Sequence, residues 1–468
     1  MNKFAFSSLF VVFYLFFSGN ILFAQDRAIQ SESRRGLDLP TRKIEDDSAL
    51  RTSLENTWFK ESTVKVLSKK PETHTLRGGG RVQVRIETSS QNREEFAIVL
   101  AREQNNEFPG WAQGSWVMSR KRDSSGEATR IRVFLRSDYN TYIQFRPFSE
   151  EKCLLDVLIY NGYVIRSLPL PIPFERLYVL SIEEILSLAG DSFPRRYFEP
   201  EPGAYRDSRA FIAAVRSRLP EIRFLDDGAQ DEKGNFVFIK SLEAQGESDG
   251  EDGIRGGVNC SGFAKWLVDG ILRPHTGERL PVTPLKMPFG IRGSSLTEPW
   301  EESRDPFFGL DWCRNLASKA CSVLRSPSFG SREEIEVNDW PFYQVLVRQP
   351  GGTTAFAYPG YLQNAGFGFE GLQALLYTLA VDEPGRIYLA AVNDERGPPV
   401  TPDNPRGLPR IRQYYHIAIL VPYFNERGVF QVAVFESAEE TSFSRFRTRY
   451  PGQFVNLVRI PIEDAFDP

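Results

Sequence analysis

Gly256–Leu272 reads GGVNCSGFAKWLVDGIL, and it sets a single cysteine, Cys260, where a glycine-containing loop turns into a helix. Behind Cys260 the apolar residues Phe263, Trp266, Leu267, Ile271 and Leu272 recur at three-to-four-residue spacing, which predicts one helix face packed on a core. Cys260 then occupies the helix N-terminus, where free backbone N–H groups and the helix dipole stabilise negative charge and ease ionisation of a thiol. The same N–H groups are placed to donate to the oxyanion of an acyl-transfer intermediate. The plainer reading of a lone cysteine is a small buried residue on a packing helix.

Asn259-Cys260-Ser261-Gly262-Phe263, with Gly256-Gly257 upstream, resembles the Asp-Cys-Ser-Gly-Phe/Leu nucleophile motif of the NlpC/P60 family of papain-like cysteine peptidases. The resemblance implies a cysteine at a helix N-terminus packed on an antiparallel sheet, a histidine on a following strand, and hydrolysis of amide bonds in cell-wall peptides. Asn259 stands where that family usually has Asp, and the family's upstream tyrosine has no clear counterpart here.

The chain begins with Lys3, an apolar run Ala5–Phe17, and Leu22-Phe23-Ala24, which reads as the charge, hydrophobic region and small-residue cleavage site of an export signal, residues 1–24. Export to the periplasm or the medium is expected, with an uncleaved anchor over Phe4–Ala24 as the alternative. No later apolar stretch is as long, so no integral membrane span is expected after cleavage. Loss of the signal removes one positive charge, taking the formal net charge from −4 to −5. That balance argues against nucleic acid as a partner, because phosphate binding draws on a basic excess.

Four cysteines in an exported chain raise the question of disulfides. Cys313 and Cys321 fall in the helical pattern DWCRNLASKACSVL, where eight residues separate them by about 12 Å, beyond the ~7 Å limit for bridging. Cys153 opens a strand-like run and reads as a buried thiol. Repeated C-x-x-C spacing does not occur, so no metal or other cofactor is expected.

Residues 25–54 are polar and charged and predict a flexible leader. Over 55–170 the period changes to two, as in Arg81–Ile86 and Arg130–Arg136, and Leu155–Tyr160 with Tyr163–Arg166 flank Asn161-Gly162 as a hairpin. An antiparallel β-sandwich is expected there. Its alternating arginines read as a solvated face or an acidic-polymer surface; Trp58, Trp111 and Trp116 read as core or as sugar-binding residues. Residues 171–205 predict a proline-stiffened linker with a short helix opening near Ser181, and 206–468 the papain-like domain, so the expected class is α+β.

Three histidines are candidates for the partner of Cys260. His275 follows Cys260 by fifteen residues, about 20 Å along a helix. His74 lies at the edge of the β domain beside Lys69-Lys70. His416 opens YYHIAILVPYF, a run expected as a buried strand, and is the expected general base. A neutral imidazole needs a third group to orient it. Glu436, ending VFQVAVFE, is the candidate and Asn393 the runner-up. Cys260 and His416 are 416 − 260 = 156 residues apart, so a large insertion, 281–368, is expected to cover the groove or to serve packing. The expected chemistry is peptide-bond hydrolysis through an acyl-enzyme, most naturally on peptidoglycan stem peptides. An amidase or acyltransferase on the same fold and a catalytically decayed wall- or protein-binding module are the alternatives.

Overall fold

The apolar run after Cys260 folds as one of ten α-helices that, with eighteen strands, make up the described residues, and strands from both upstream and downstream of it pack on it. The computed structural model describes residues 38–88, 92–246, 256–290, 305–349, 352–356, 360–363, 365–393 and 414–468. The expected export signal, residues 1–24, lies outside them. The described chain is mixed α and β with large antiparallel sheets, as the α+β expectation requires. It divides into two units, one ending at Tyr139 and including Arg176–Glu183, the other made of Asn140–Glu175 and Glu184–Pro468. The span expected as one β-sandwich is thus shared between both units.

In the first unit, helices α1 (Ser48–Leu54) and α2 (Thr63–Leu67) precede five strands, β1 (Glu72–Thr75), β2 (Arg81–Thr88), β3 (Glu95–Arg102), β4 (Trp116–Lys121) and β5 (Ala128–Val133). Each strand pairs antiparallel with the next, a meander that needs only short turns. Residues 38–54, expected as part of a flexible leader, are instead packed. Asp47 accepts the Leu50 N–H at the start of α1, and Arg51 is buried with its guanidinium 4.0 Å over the Trp116 ring and bonded to the Tyr178 carbonyl at 3.2 Å. Burial of Leu54 supplies the apolar contact that composition alone does not reveal. The strand arginines are paired: Arg81 with Glu103, Arg85 with Glu87 and Arg130 with Glu95. Trp58 and Trp116 are core residues.

The second unit opens with β6 (Tyr142–Pro147), β7 (Cys153–Ile159) and β8 (Gly162–Leu170). The β7–β8 hairpin forms, but its two turn residues are Tyr160 and Asn161, with φ of 45° and 67°, one position earlier than the Asn-Gly pair suggests. Gly162 belongs to β8, where a Cβ would come within 2.5 Å of the Phe342 ring. Tertiary packing, not turn preference, claims that glycine.

There follow α3 (Ile182–Ala189), α4 (Arg206–Arg218), β9 (Gly228–Gln230), β10 (Phe236–Phe238), α5 (Cys260–Thr276), α6 (Val282–Leu285), α7 (Phe308–Leu324), α8 (Arg332–Ile335), β11 (Val345–Gln349), β12 (Gly352–Phe356), β13 (Phe367–Gly368) and α9 (Leu372–Asp382). The chain ends with β14 (Arg386–Asn393), β15 (Tyr414–Phe424), β16 (Phe430–Glu436), β17 (Glu439–Ser442), α10 (Phe443–Arg449) and β18 (Phe454–Pro461). A six-stranded antiparallel sheet runs in the order β13-β18-β14-β15-β16-β17. From Ile417 to Phe424, β15 is buried at every residue, because α4, α5, α7 and α9 all pack against it.

Candidate functional site

Helix α5 begins at Cys260, and its first turn is built residue by residue from the NCSGF string. Asn259 is the N-cap: its side-chain oxygen accepts the Gly262 N–H at 2.9 Å, a role that Asn and Asp fill equally well. The Asn259 N–H donates to the Gly228 carbonyl of β9, also at 2.9 Å. Gly262 lies over that carbonyl so closely that a Cβ would meet it at 2.0 Å. Ser261 is fixed through its carbonyl, which accepts the indole N–H of Trp312 on α7 at 2.9 Å. The helix continues through Leu272 with its apolar residues buried and stops where Gly277 adopts φ 73°.

The same cavity wall holds His416, at the start of β15. Its Nε2–H donates to Glu436 Oε2 at 2.8 Å, and the ring shares a hydrogen bond with the Cys260 thiol, which leaves Nδ1 for the sulfur. The pairing of Ile419 with Phe435 places Glu436, one residue on, diagonal to His416 on the same face of the sheet. Burial works against ionisation of Cys260, yet the hydrogen bond and charge of His416, the Ile417 N–H and the Ser261 hydroxyl outweigh it and hold the thiol below its usual range. Burial likewise disfavours the imidazolium, but bonding to Cys260 and Glu436 raises His416 to about 9. Glu436 is desolvated, and the bonds to His416 and Arg449 nevertheless keep its carboxyl below the ordinary range.

Cys260, His416 and Glu436, the three expected site residues, are therefore brought together. Asn393 is not in this relay: it is buried on β14 opposite Tyr414 and Phe454, and the imidazole N–H goes to Glu436 instead. His275 ends α5 beside Glu463, and His74 sits on β1 beside Glu72.

The relay opens into a cavity of about 390 Å³. Asn259 and Cys260 at the start of α5, Phe224 and Asp226, and Phe308 and Gly309 of α7 line it with His416. The segment 281–368 thus does two things at once, since α7 lines the cavity and also pins the first turn of α5. Sequence reading missed Arg449, whose Nη1 donates to Glu436 Oε1 at 2.7 Å, and Tyr450, whose ring lies 6.0 Å from that of His416. Arg449 ends a helix in which Arg445 and Arg447 also occur, a pattern indistinguishable from a solvated face. Among the described residues no cluster of His, Cys, Asp or Glu could hold a metal ion, and no helix is long and apolar enough to cross a membrane.

No curated protein and no solved structure matches the chain. A family model described as a domain of unknown function (DUF8515) matches residues 40–197, about a third of the chain, and ends upstream of Cys260, His416 and Glu436.

Proposed function

We propose that this chain is an exported cysteine peptidase that hydrolyses amide bonds, with the peptide stems of peptidoglycan as the substrate class. The observation that carries the reading is the Cys260–His416–Glu436 relay, set at a helix N-terminus and open to a cavity. The NlpC/P60-like string around Cys260 supports the family assignment, and the apparent signal at residues 1–24 supports export.

In the mechanism, Cys260 is a thiolate paired with the His416 imidazolium, and its sulfur attacks the substrate carbonyl carbon. The oxyanion of the tetrahedral intermediate accepts from the Cys260 backbone N–H at the start of α5. His416 passes its Nδ1 proton to the leaving amine as the C–N bond breaks, giving a thioester. Water then loses a proton to His416, attacks the thioester carbon and releases the acid, restoring the ion pair. Glu436 stays ionised throughout and fixes the imidazole tautomer.

The test requires no guess about the substrate. Iodoacetamide alkylation of each cysteine is followed against pH by mass spectrometry in the wild type and in His416→Ala. Near pH 6 we expect Cys260 to react at least about tenfold faster than Cys153, Cys313 and Cys321, and to lose that advantage in His416→Ala. A Cys260 that titrates like an ordinary thiol in the wild type would sink the proposal. With the pair established, muropeptides are the first substrates, and mass analysis of the products identifies the bond.

A further inference from the structure

Glu436 has two charged partners, and only one of them belongs to the relay. Oε2 accepts from His416 at 2.8 Å, whereas Oε1 accepts from Arg449 Nη1 at 2.7 Å. The carboxylate is nearly sealed from water, at 5% exposure, so these two donors replace its hydration. A buried carboxylate left with too few donors takes up a proton or turns away.

The chain builds this contact deliberately. After Glu436 a two-residue turn, Ser437 and Ala438 at φ 50° and 67°, reverses the strand into β17. Ser442 then accepts the Arg445 N–H at 3.1 Å to start α10, and the fully buried Phe446 packs on Phe369 and Tyr450. Thirteen residues after Glu436 the chain is back beside it, with Arg449 against the carboxylate and Tyr450 against the imidazole. The Arg449 side chain is itself 39% exposed, as in an ordinary surface ion pair. What differs is the partner, because the carboxylate it serves is desolvated.

We propose that Arg449 is a positioning residue: it pins Glu436 as a fixed carboxylate, so that Glu436 holds the Nε2–H of His416 and aims Nδ1 at Cys260. This rests on the Cys260–His416 reading above. The groups around His416 are Cys260 from α5, Tyr415 from β15, Glu436 from β16, Arg449 at the end of α10 and Tyr450 after it, and Asp226 lines the same cavity. Cys260 and Glu436 favour the imidazolium, whereas the Arg449 guanidinium, held against Glu436, opposes it. Arg449 also resists protonation of Glu436. Its removal therefore moves both edges of the ion pair to higher pH: Glu436 protonates sooner on the acid side, and His416 holds its proton longer on the alkaline side.

The experiment uses the full chain as wild type, Arg449→Met, Glu436→Gln and the double variant. The His416 ring is titrated by NMR, with three histidines in the chain and His416→Ala to assign the signal, and Cys260 alkylation is followed against pH in parallel. For Arg449→Met we expect both edges to rise by about half a pH unit, a threefold change in proton affinity, and the acid-edge shift, which runs through Glu436, to vanish when it is added to Glu436→Gln. Arg449→Gln, which keeps a donor without the charge, shifts in the same direction and serves if the Met variant does not fold. A folded variant with the wild-type profile, or an equal acid-edge shift in the Glu436→Gln background, overturns the proposal. If wild-type Cys260 itself shows no lowered edge, the peptidase reading fails first and this inference with it.

Discussion

At the scale of the residue, the bonds from His416 to Cys260 and Glu436 make stability depend on pH with a definite sign. The folded protein raises His416 from an ordinary value near 6.5 to about 9, so this imidazole takes up a proton on folding in that interval. The stabilisation is therefore complete below about 6.5 and is lost as pH rises through about 9. Glu436→Gln removes the charge that favours the imidazolium. The melting temperature of the wild type should exceed that of the variant most at pH 6, and the gap should narrow toward pH 9.5. A gap that stays constant across this window would mean that Glu436 does not face an imidazolium. Cys260, His416 and Glu436 could be read in the sequence because a specific five-residue string, a count of three histidines and a strand-ending carboxylate are local signals. Arg449 and Tyr450 could not, because only the return of α10 places them beside Glu436 and His416.

At the scale of the element, α5 shows why pattern located the helix while leaving its first turn unexplained. Spacing of Phe263, Trp266 and Leu267 identifies the buried face, but Gly262 is demanded by the Gly228 carbonyl of a strand more than thirty residues upstream. Gly162 repeats the lesson, since it looks like a turn residue and is in fact a close-approach residue under Phe342. The packed α1 was hidden for a related reason: its burial comes from Trp116 and Tyr178, which are distant in sequence. Gly262→Ala should cost about 3 kcal/mol, because the obstacle is a backbone carbonyl and not a flexible side chain. Asn259→Ala should cost about 1 kcal/mol, the loss of one N-cap bond. Urea unfolding measures both, and a Gly262→Ala cost no larger than that of Asn259→Ala would mean that α5 does not rest on β9 as described.

At the scale of the whole molecule, every residue of the proposed relay belongs to the second unit, whereas the matched family model covers the first and only the beginning of the second. The role of the first unit is therefore open to chemistry of its own, and its paired strand arginines argue for a solvated face there. The distribution of thiols over the two units gives a test of the fold that is independent of catalysis. All four cysteines are free, and all four lie in the second unit. Cys153, Cys313 and Cys321 are buried, and burial raises each of their thiols, Cys153 to about 11. Cys260 alone borders the cavity and alone is lowered. A chromogenic disulfide reagent at neutral pH should therefore titrate one thiol per native chain and four in guanidinium, with the single native equivalent absent from Cys260→Ala. Two missing equivalents in guanidinium would reveal a disulfide, and a second native equivalent would show that α7 or β7 is less closed than its buried cysteines require.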